Sequence, residues 1–274
     1  GQNGYPIQTT GRNTGPEMAP IPALLAVAGL HHHLIRQGLR NQAGIIIESG
    51  SVKEVFHYAL LIGYGADAIC PYLTFATLRH LAENGRLEAG LTAEKAMDHY
   101  ITAVKKGILK TMSRMGISTL HSFYGSQLFE AIGLSQSLID RYFRGTVTRI
   151  GGLGIRDVAR EASEFHLKAV SSNPEHDRFL ELGGQYRYRR NSEKHFWTPE
   201  SIAKLQSAVR SDSYAQFQEF TRMVDQQIHR YTTLRGMFQL IPDHPVPPEE
   251  VEPAESIVKR LVTSAMSMGS ISPE

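Results

Sequence analysis

The chain has 274 residues, 41% of them hydrophobic and 20% charged, with a net charge of +2 and a single cysteine. That is enough chain for one large domain or two medium ones with a proper core. It excludes a strongly basic nucleic-acid binder, an internal disulfide and a four-thiolate iron–sulfur cluster. It also lacks an apolar run long enough to span a bilayer, and GQNGYPIQTTGRN does not show the basic-then-apolar pattern of a signal peptide. A reducing, cytoplasmic setting is expected. A start at Gly1 and an end at SMGSISPE read as a piece of a longer protein.

Residues 1–15, polar and rich in Gly, Asn and Thr, are expected to be a flexible N-terminal arm. MAPIPALLAVAGLHHHLIRQGLR predicts a helix entered through Pro20 and Pro22, with Leu24, Leu25, Ala28, His31, His32 and Ile35 on one face. AGIIIESG predicts a short strand buried on both faces, as in a parallel sheet. SVKEVFHYALLIGYGA predicts a helix capped by Ser51, and DAICPYL a second strand. TFATLRHLAENG predicts a helix closed by Gly85, and a long helix opens at Thr92. GISTLHSF reads as a third strand, and SQLFEAIGL and SQSLIDRYF as two short helices. Strand–helix alternation with short links is the mark of a parallel α/β layer.

After residue 145 the texture changes. TRIGGLGIRD reads as a glycine-rich turn into the helix DVAREASEFHLKAV, and GGQYRYRRNSEKHFWTPES as a strand or hairpin. Two helices, a stiff proline-rich connector (LIPDHPVPPEEVEP), a short helix and one more buried strand complete the chain.

Few motifs carry chemistry. Neighbouring residues on a helix point about 100° apart, so His31, His32 and His33 cannot grip one metal ion together. A further ligand such as Glu48 or His57 would be required. Packing of one or two of these histidines at the sheet–helix seam, with the other facing out, is the better reading. The turn Gly151–Gly154 could cradle an anion on a helix N-terminus, but its spacing is not the dinucleotide fingerprint. YRYRRNSEKHF mixes basic and aromatic residues as a single-strand nucleic-acid platform does, yet it is short and isolated. Cys70, in an apolar stretch before Pro71, reads as a small hydrophobe. The small residues Ser264, Ala265, Ser267, Gly269 and Ser270 would let a flat ligand approach the backbone at a strand's end, where barrel enzymes place their sites, though small residues there are more often just a turn.

Several stretches in order resemble one family, the large subunit of glutamate synthase. APIPALLAVAGLHHHLIRQGLR, ALLIGYGADAICPYL and GILKTMSRMGISTLHSFYGSQLFEAIGL resemble its central domain. TRIGGLGIRDVARE, GGQYRYRR, TTLRGMF and VPPEEVEPAESIVKRLVTSAMSMGSIS resemble the beginning of its FMN-binding synthase domain. The resemblance runs from about residue 12 to residue 274; residues 1–11 depart from the family, which carries an apolar strand there.

The resemblance implies an α/β fold: a parallel-sheet central domain with flanking helices over residues 16–145, then, over 146–274, a helical segment and the first strand of a truncated (β/α)8 barrel. It implies an enzyme that makes L-glutamate from 2-oxoglutarate and glutamine-derived ammonia, with FMN and a 3Fe–4S cluster in the parent protein. Ser264, Ala265, Met266 and Ser267 match a segment that contacts FMN. The implied partners are the remaining domains of the large subunit, and a small NADPH-oxidising subunit or ferredoxin, with no nucleic acid and no membrane. This chain is expected to bind no cofactor alone, to connect the amidotransferase and FMN sites, and to wall the ammonia route, with residues 232–236 and Arg235 as a candidate wall. The alternatives are a stand-alone, non-catalytic binding or regulatory module, and a small enzyme with a phosphate ligand at Gly151–Gly154.

Overall fold

The structure is a computed structural model that describes residues 5–12, 14–170, 183–184, 187–190, 192–229, 233, 236, 238–239 and 241–261. The chain divides into two compact units, Gly1–Ser172 and Asn173–Glu274.

The first unit is built on a three-stranded parallel sheet, in the order β1 (Tyr5–Thr10), β2 (Ala43–Glu48), β3 (Ala68–Cys70). The expected arm is therefore in part a strand: β1 lies in register with β2, Ile7 opposite Ile45 and Thr9 opposite Ile47. Among the described residues β1 lies at the edge of the sheet, the position where strands admit a proline such as Pro6. In β2 the alternate residues Ile45 and Ile47 are fully buried while the opposite face is only half-buried, so the strand is less enclosed than a run of three isoleucines suggests.

Helix α1 (Ala23–Arg36) crosses from β1 to β2 and buries Val27, Ala28, His31, His32 and Leu34. The expected face is shifted by one residue at its end: Leu34 is inside, and Ile35 is half-exposed. α2 (Val55–Gly63) links β2 to β3. Its N-cap is Glu54, whose carboxylate accepts from the His57 backbone while the His57 ring accepts from the Glu54 backbone; Ser51 is not the cap. α3 (Tyr72–Glu83) and α4 (Ala93–Arg114) follow, the latter capped by Thr92. α4 packs on α2 where Gly107 meets Val55, too close for a side chain on residue 107.

Residues 117–143 differ from expectation. Thr119 caps a single turn, α5 (Leu120–Phe123), where a strand was predicted. Residues Glu130–Leu134 form strand β4 where a helix was predicted. α6 (Gln136–Tyr142) is helical as expected. The glycine-rich segment is itself a strand, β5 (Val147–Leu153), parallel to β4, and leads into α7 (Ile155–Val170). The pairing of β4 with β5 runs across residue 145, so the alternation of strand and helix continues past the change of texture. Gly152 lies so close to β4 that a Cβ there would stand 2.5 Å from the Gly133 carbonyl oxygen.

Three apolar clusters hold this unit together. Val27, Leu34, Ile45, Ile47, Leu61 and Val104 fill the space between sheet, α1, α2 and α4. Ala28, Tyr64, Leu138, Ile139 and Phe143 join α1 to α6, and Ala59, Met112 and Phe123 join α2 to α4 and α5. Burial of this kind supplies most of the drive to fold.

In the second unit, α8 (Pro199–Arg210) and α9 (Tyr214–His229) form a helical hairpin. Thr198 and Ser201 close a reciprocal capping box on α8, and Lys204 pairs with Glu219 across the hairpin at 2.6 Å. Trp197 stacks on Phe220. The proline-rich stretch carries one 3-10 turn, Pro248–Glu250, before the short α10 (Ala254–Val258). The hairpin expected over residues 183–201 contains no strand among the described residues; the chain folds back there through a Glu193 N–H to Gly183 carbonyl bond and a bond from His195 to the Gly184 carbonyl. The (β/α)8 strand expected after α10 lies outside the described residues.

Candidate functional site at the carboxyl edge of the sheet

The histidine run sits at the amino edge of the parallel sheet. His31 and His32 are 7% and 6% exposed, and His33 faces out, as the helical geometry requires. Their rings meet edge to face, 5.3 Å apart. The Nε–H of Arg40 donates to His31 Nδ1 at 3.0 Å. The same guanidinium donates to the carbonyls of Ala43 and Gly65 and to the Asp67 carboxylate, which also receives the Ile45 N–H. The Tyr124 hydroxyl shares the Gly65 carbonyl, and the Gln127 amide nitrogen lies 3.2 Å from His32 Nε2.

Arg40 has only donors, so His31 Nδ1 must be the unprotonated nitrogen. Burial first, then the charge of Arg40 and the neighbouring His32, hold the His31 pKa down to about 4. Burial, Arg36 and Arg144 lower that of His32. These are neutral histidines used as hydrogen-bonding struts. Glu48 and His57, the other candidate metal ligands, are engaged elsewhere: Glu48 with Thr10 and Arg12, His57 in its helix cap. Among the described residues no three His, Cys, Asp or Glu side chains are grouped to hold a metal.

Open parallel sheets present ligands at the carboxyl ends of their strands. There the chain places Thr10, Glu48 and Cys70 at the three strand ends, with Arg12, Ser49, Ser51 and Tyr72 in the loops just beyond. Gly11 N–H bonds the Glu48 carbonyl at 3.0 Å and Ser49 N–H bonds the Cys70 carbonyl at 3.1 Å, so the loops stay stitched past the sheet. One oxygen of Glu48 accepts from the Thr10 hydroxyl at 2.8 Å and from Arg12 Nε at 3.2 Å. These partners keep the carboxyl ionised, its pKa below the usual carboxylate value, the Thr10 bond having the largest effect. The Arg12 guanidinium lies 4.6 Å over the Tyr72 ring, and the Tyr72 hydroxyl donates to the Gly11 carbonyl. Gly50 leaves room for that hydroxyl, which would stand 3.1 Å from an added Cβ.

Ser49 is buried, and its hydroxyl lies 2.9 Å from that of Ser51. The set offers one fixed anion, one cation and two paired hydroxyls. It can orient a small polar molecule, but neither serine faces a base that would make it a nucleophile. Sequence reasoning missed this group because its members are scattered along the chain. The usable signal is that Glu48-Ser49-Gly50-Ser51 follows the strongest strand of the sequence.

The other candidates resolve differently. At Gly151–Gly154 the helix N-terminus is closed by the protein itself: Gly154 N–H donates to the Asp157 carboxylate at 2.9 Å. Of these glycines, Gly152 serves the close approach of β5 to β4. Cys70 is half-buried at the end of β3. Ser264, Ala265, Met266 and Ser267, and Arg235 in the 232–236 stretch, lie outside the described residues.

Residues 7–135 match the family model of the glutamate synthase central domain, and residues 195–274 match that of a conserved region in glutamate synthase. The NADPH glutamate synthase large chain of Bacillus subtilis is 45% identical over 258 residues, 94% of this chain. The chain belongs to the glutamate synthase family. Other glutamate synthases align as fully: the NADH enzyme of Schizosaccharomyces pombe at 40% identity over 98% of this chain, and the ferredoxin-dependent glutamate synthase 2 of Synechocystis at 40% over 93%. The chain spans only 17%, 13% and 17% of those three proteins. The glutamate synthase central-domain match begins at residue 7, inside β1.

Proposed function

We propose that this chain is the connecting segment of a glutamate synthase: a central domain that begins with β1, ahead of the expected residue 16, followed by the opening of the FMN-binding synthase domain. In this reading the whole enzyme makes L-glutamate from 2-oxoglutarate and glutamine-derived ammonia by flavin-dependent reduction. FMN and a 3Fe–4S cluster belong to that whole enzyme, and its electrons come from a small NADPH-oxidising subunit or from ferredoxin. The segment itself is not catalytic. It holds the amidotransferase and flavin sites at fixed separation in the cytoplasm.

One observation carries the reading. Relatives align along 93–98% of this chain, yet the chain is 13–17% of their length. A segment of that size, matched by two successive family models, fits a connector better than a complete enzyme.

The described residues do not fit a flavin site. A phosphate group would compete with Asp157 for the one glycine-rich helix start, and no barrel end is formed among them. If Ser264, Ala265, Met266 and Ser267 contact FMN, they do so together with residues that this chain does not supply.

The carboxyl edge is the part of the connector best equipped to border a route for a small polar molecule such as ammonia. In the full-length synthase, Glu48→Gln and Arg12→Ala should leave glutamine hydrolysis largely intact and lower the glutamate formed per glutamine hydrolysed. An unchanged ratio in both variants, and in an Arg235→Ala variant, would remove the route from this segment.

A further inference from the structure

The Arg40–His31 bond works in one protonation state only. Arg40 Nε–H must find an acceptor, and neutral His31 supplies one at Nδ1, 3.0 Å away. A protonated ring carries N–H on both nitrogens. It would set donor against donor and cation against cation at the same place.

The ring has little room to turn aside. A Cβ on Gly65 would stand 2.2 Å from His31 Nδ1, and one on Gly125 would stand 3.5 Å from His31 Cε1, so backbone closes two sides of the ring. The yielding partner is Arg40, and Arg40 ties down much of the amino edge. It holds the Ala43 carbonyl at the start of β2, the Gly65 carbonyl after α2 and the Asp67 side chain before β3. The strap over residues 124–127 closes on the same turn: Tyr124 donates to the Gly65 carbonyl, Gly125 N–H to Ile62 and Gln127 N–H to Gly63.

The charged and titratable groups around the pair come from each surrounding element. Arg40 stands on the 3-10 turn Arg40–Gln42, Asp67 before β3, and Tyr124 beneath the Arg40 guanidinium at 5.4 Å. His32 lies beside His31, and Arg36 and Arg144 act on His32. Only Asp67 is acidic, and its carboxylate already receives Arg40 and the Ile45 N–H. No carboxylate among these groups stands ready to welcome a second cation.

We infer that His31 and Arg40 form a proton-sensitive latch: protonation of His31 releases Arg40 and opens the amino edge of the sheet locally, while the helical core stays folded. This device is independent of the connector reading. It requires only that the unit fold as described.

The test uses the complete 274-residue chain. The His31 ring is followed by NMR from pH 7 downward, together with hydrogen-exchange protection of the Asp67, Gly125 and Gln127 amides and of Val104 in α4 as an internal control. The latch predicts that His31 titrates near its lowered value of about 4. It also predicts that protection of the three edge amides falls at least about tenfold more than that of Val104, with the same midpoint, because Val104 follows only the global change in stability. His31→Asn places an uncharged acceptor near the position of Nδ1 and should abolish the step. Edge protection that falls no more than that of Val104 through the His31 titration would overturn the proposal, as would an unchanged step in His31→Asn. If that variant does not fold, the wild-type comparison of edge and core amides still decides.

Discussion

Arg40 reaches Asp67 across the amino edge of the sheet, NH2 to Oδ2 at 3.1 Å, with the guanidinium buried and the carboxylate partly in solvent. The ion pair is the weaker part of this contact. Partly exposed pairs contribute little, whereas two part-buried backbone carbonyls accept from the same guanidinium.

Arg40→Lys should therefore be far from conservative. One ammonium cannot reach Ala43, Gly65, His31 and Asp67 together, and a loss of about 1–2 kcal/mol is expected, because the Ala43 carbonyl and His31 Nδ1 lose this donor while the Gly65 carbonyl keeps the Tyr124 hydroxyl. Asp67→Asn, which keeps an oxygen for the Ile45 N–H, should cost roughly 1 kcal/mol. Urea melts of both variants check the order. Equal losses would mean that the ion pair dominates.

Gly152 and Gly151 are neighbours with opposite expectations. A methyl on Gly152 would meet the backbone of Gly133 at 2.5 Å, and one on Gly151 would meet nothing within 4 Å. Gly152→Ala should cost about 2 kcal/mol or more, because a paired strand must shift to admit it. Gly151→Ala should change stability by roughly 0.5 kcal/mol or less. If both alanines were tolerated alike, the β4–β5 pairing in this register would be wrong.

The folded His31 pKa lies below the value of 6.5 for a free imidazole, so the unfolded chain takes up the proton first as pH falls. Stability is full above about pH 6.5 and declines down to about pH 4, where the folded state also binds the proton. The loss over this window should be on the order of 3 kcal/mol at most, with His32 adding in the same direction. Denaturant melts at stepped pH measure it. A curve flat between pH 7 and 4 would contradict a buried neutral histidine.

How much of this was legible in the sequence depends on how local the cause is. GIIIE and DAIC read as parallel strands because short apolar runs bounded by turn residues suit a buried strand, and Thr92 announced α4 through its side-chain oxygen. EAIGL looked helical because Gly133 hides a strand irregularity, with positive φ and a register shift against β5. ISTLHSF looked extended because Ile117 and Thr119 are β-branched, but Thr119 uses its hydroxyl to start a turn. The arm became a strand through β2, a tertiary cause that the six residues YPIQTT do not reveal by themselves. The split of the histidine run, two in and one out, was readable from helical phase alone. The carboxyl-edge group was not, since Arg12 meets Glu48 across 36 residues and Gly11 meets Tyr72 across 61.

The central claim is that this chain connects active sites and does not form one. The most direct measurement is an FMN titration of the purified 274-residue chain, read by flavin fluorescence and by thermal shift. A cooperative melt that FMN leaves unmoved, with no quenching, is the result predicted. Stoichiometric quenching with a raised melting temperature would show a complete flavin site within this chain and contradict the account.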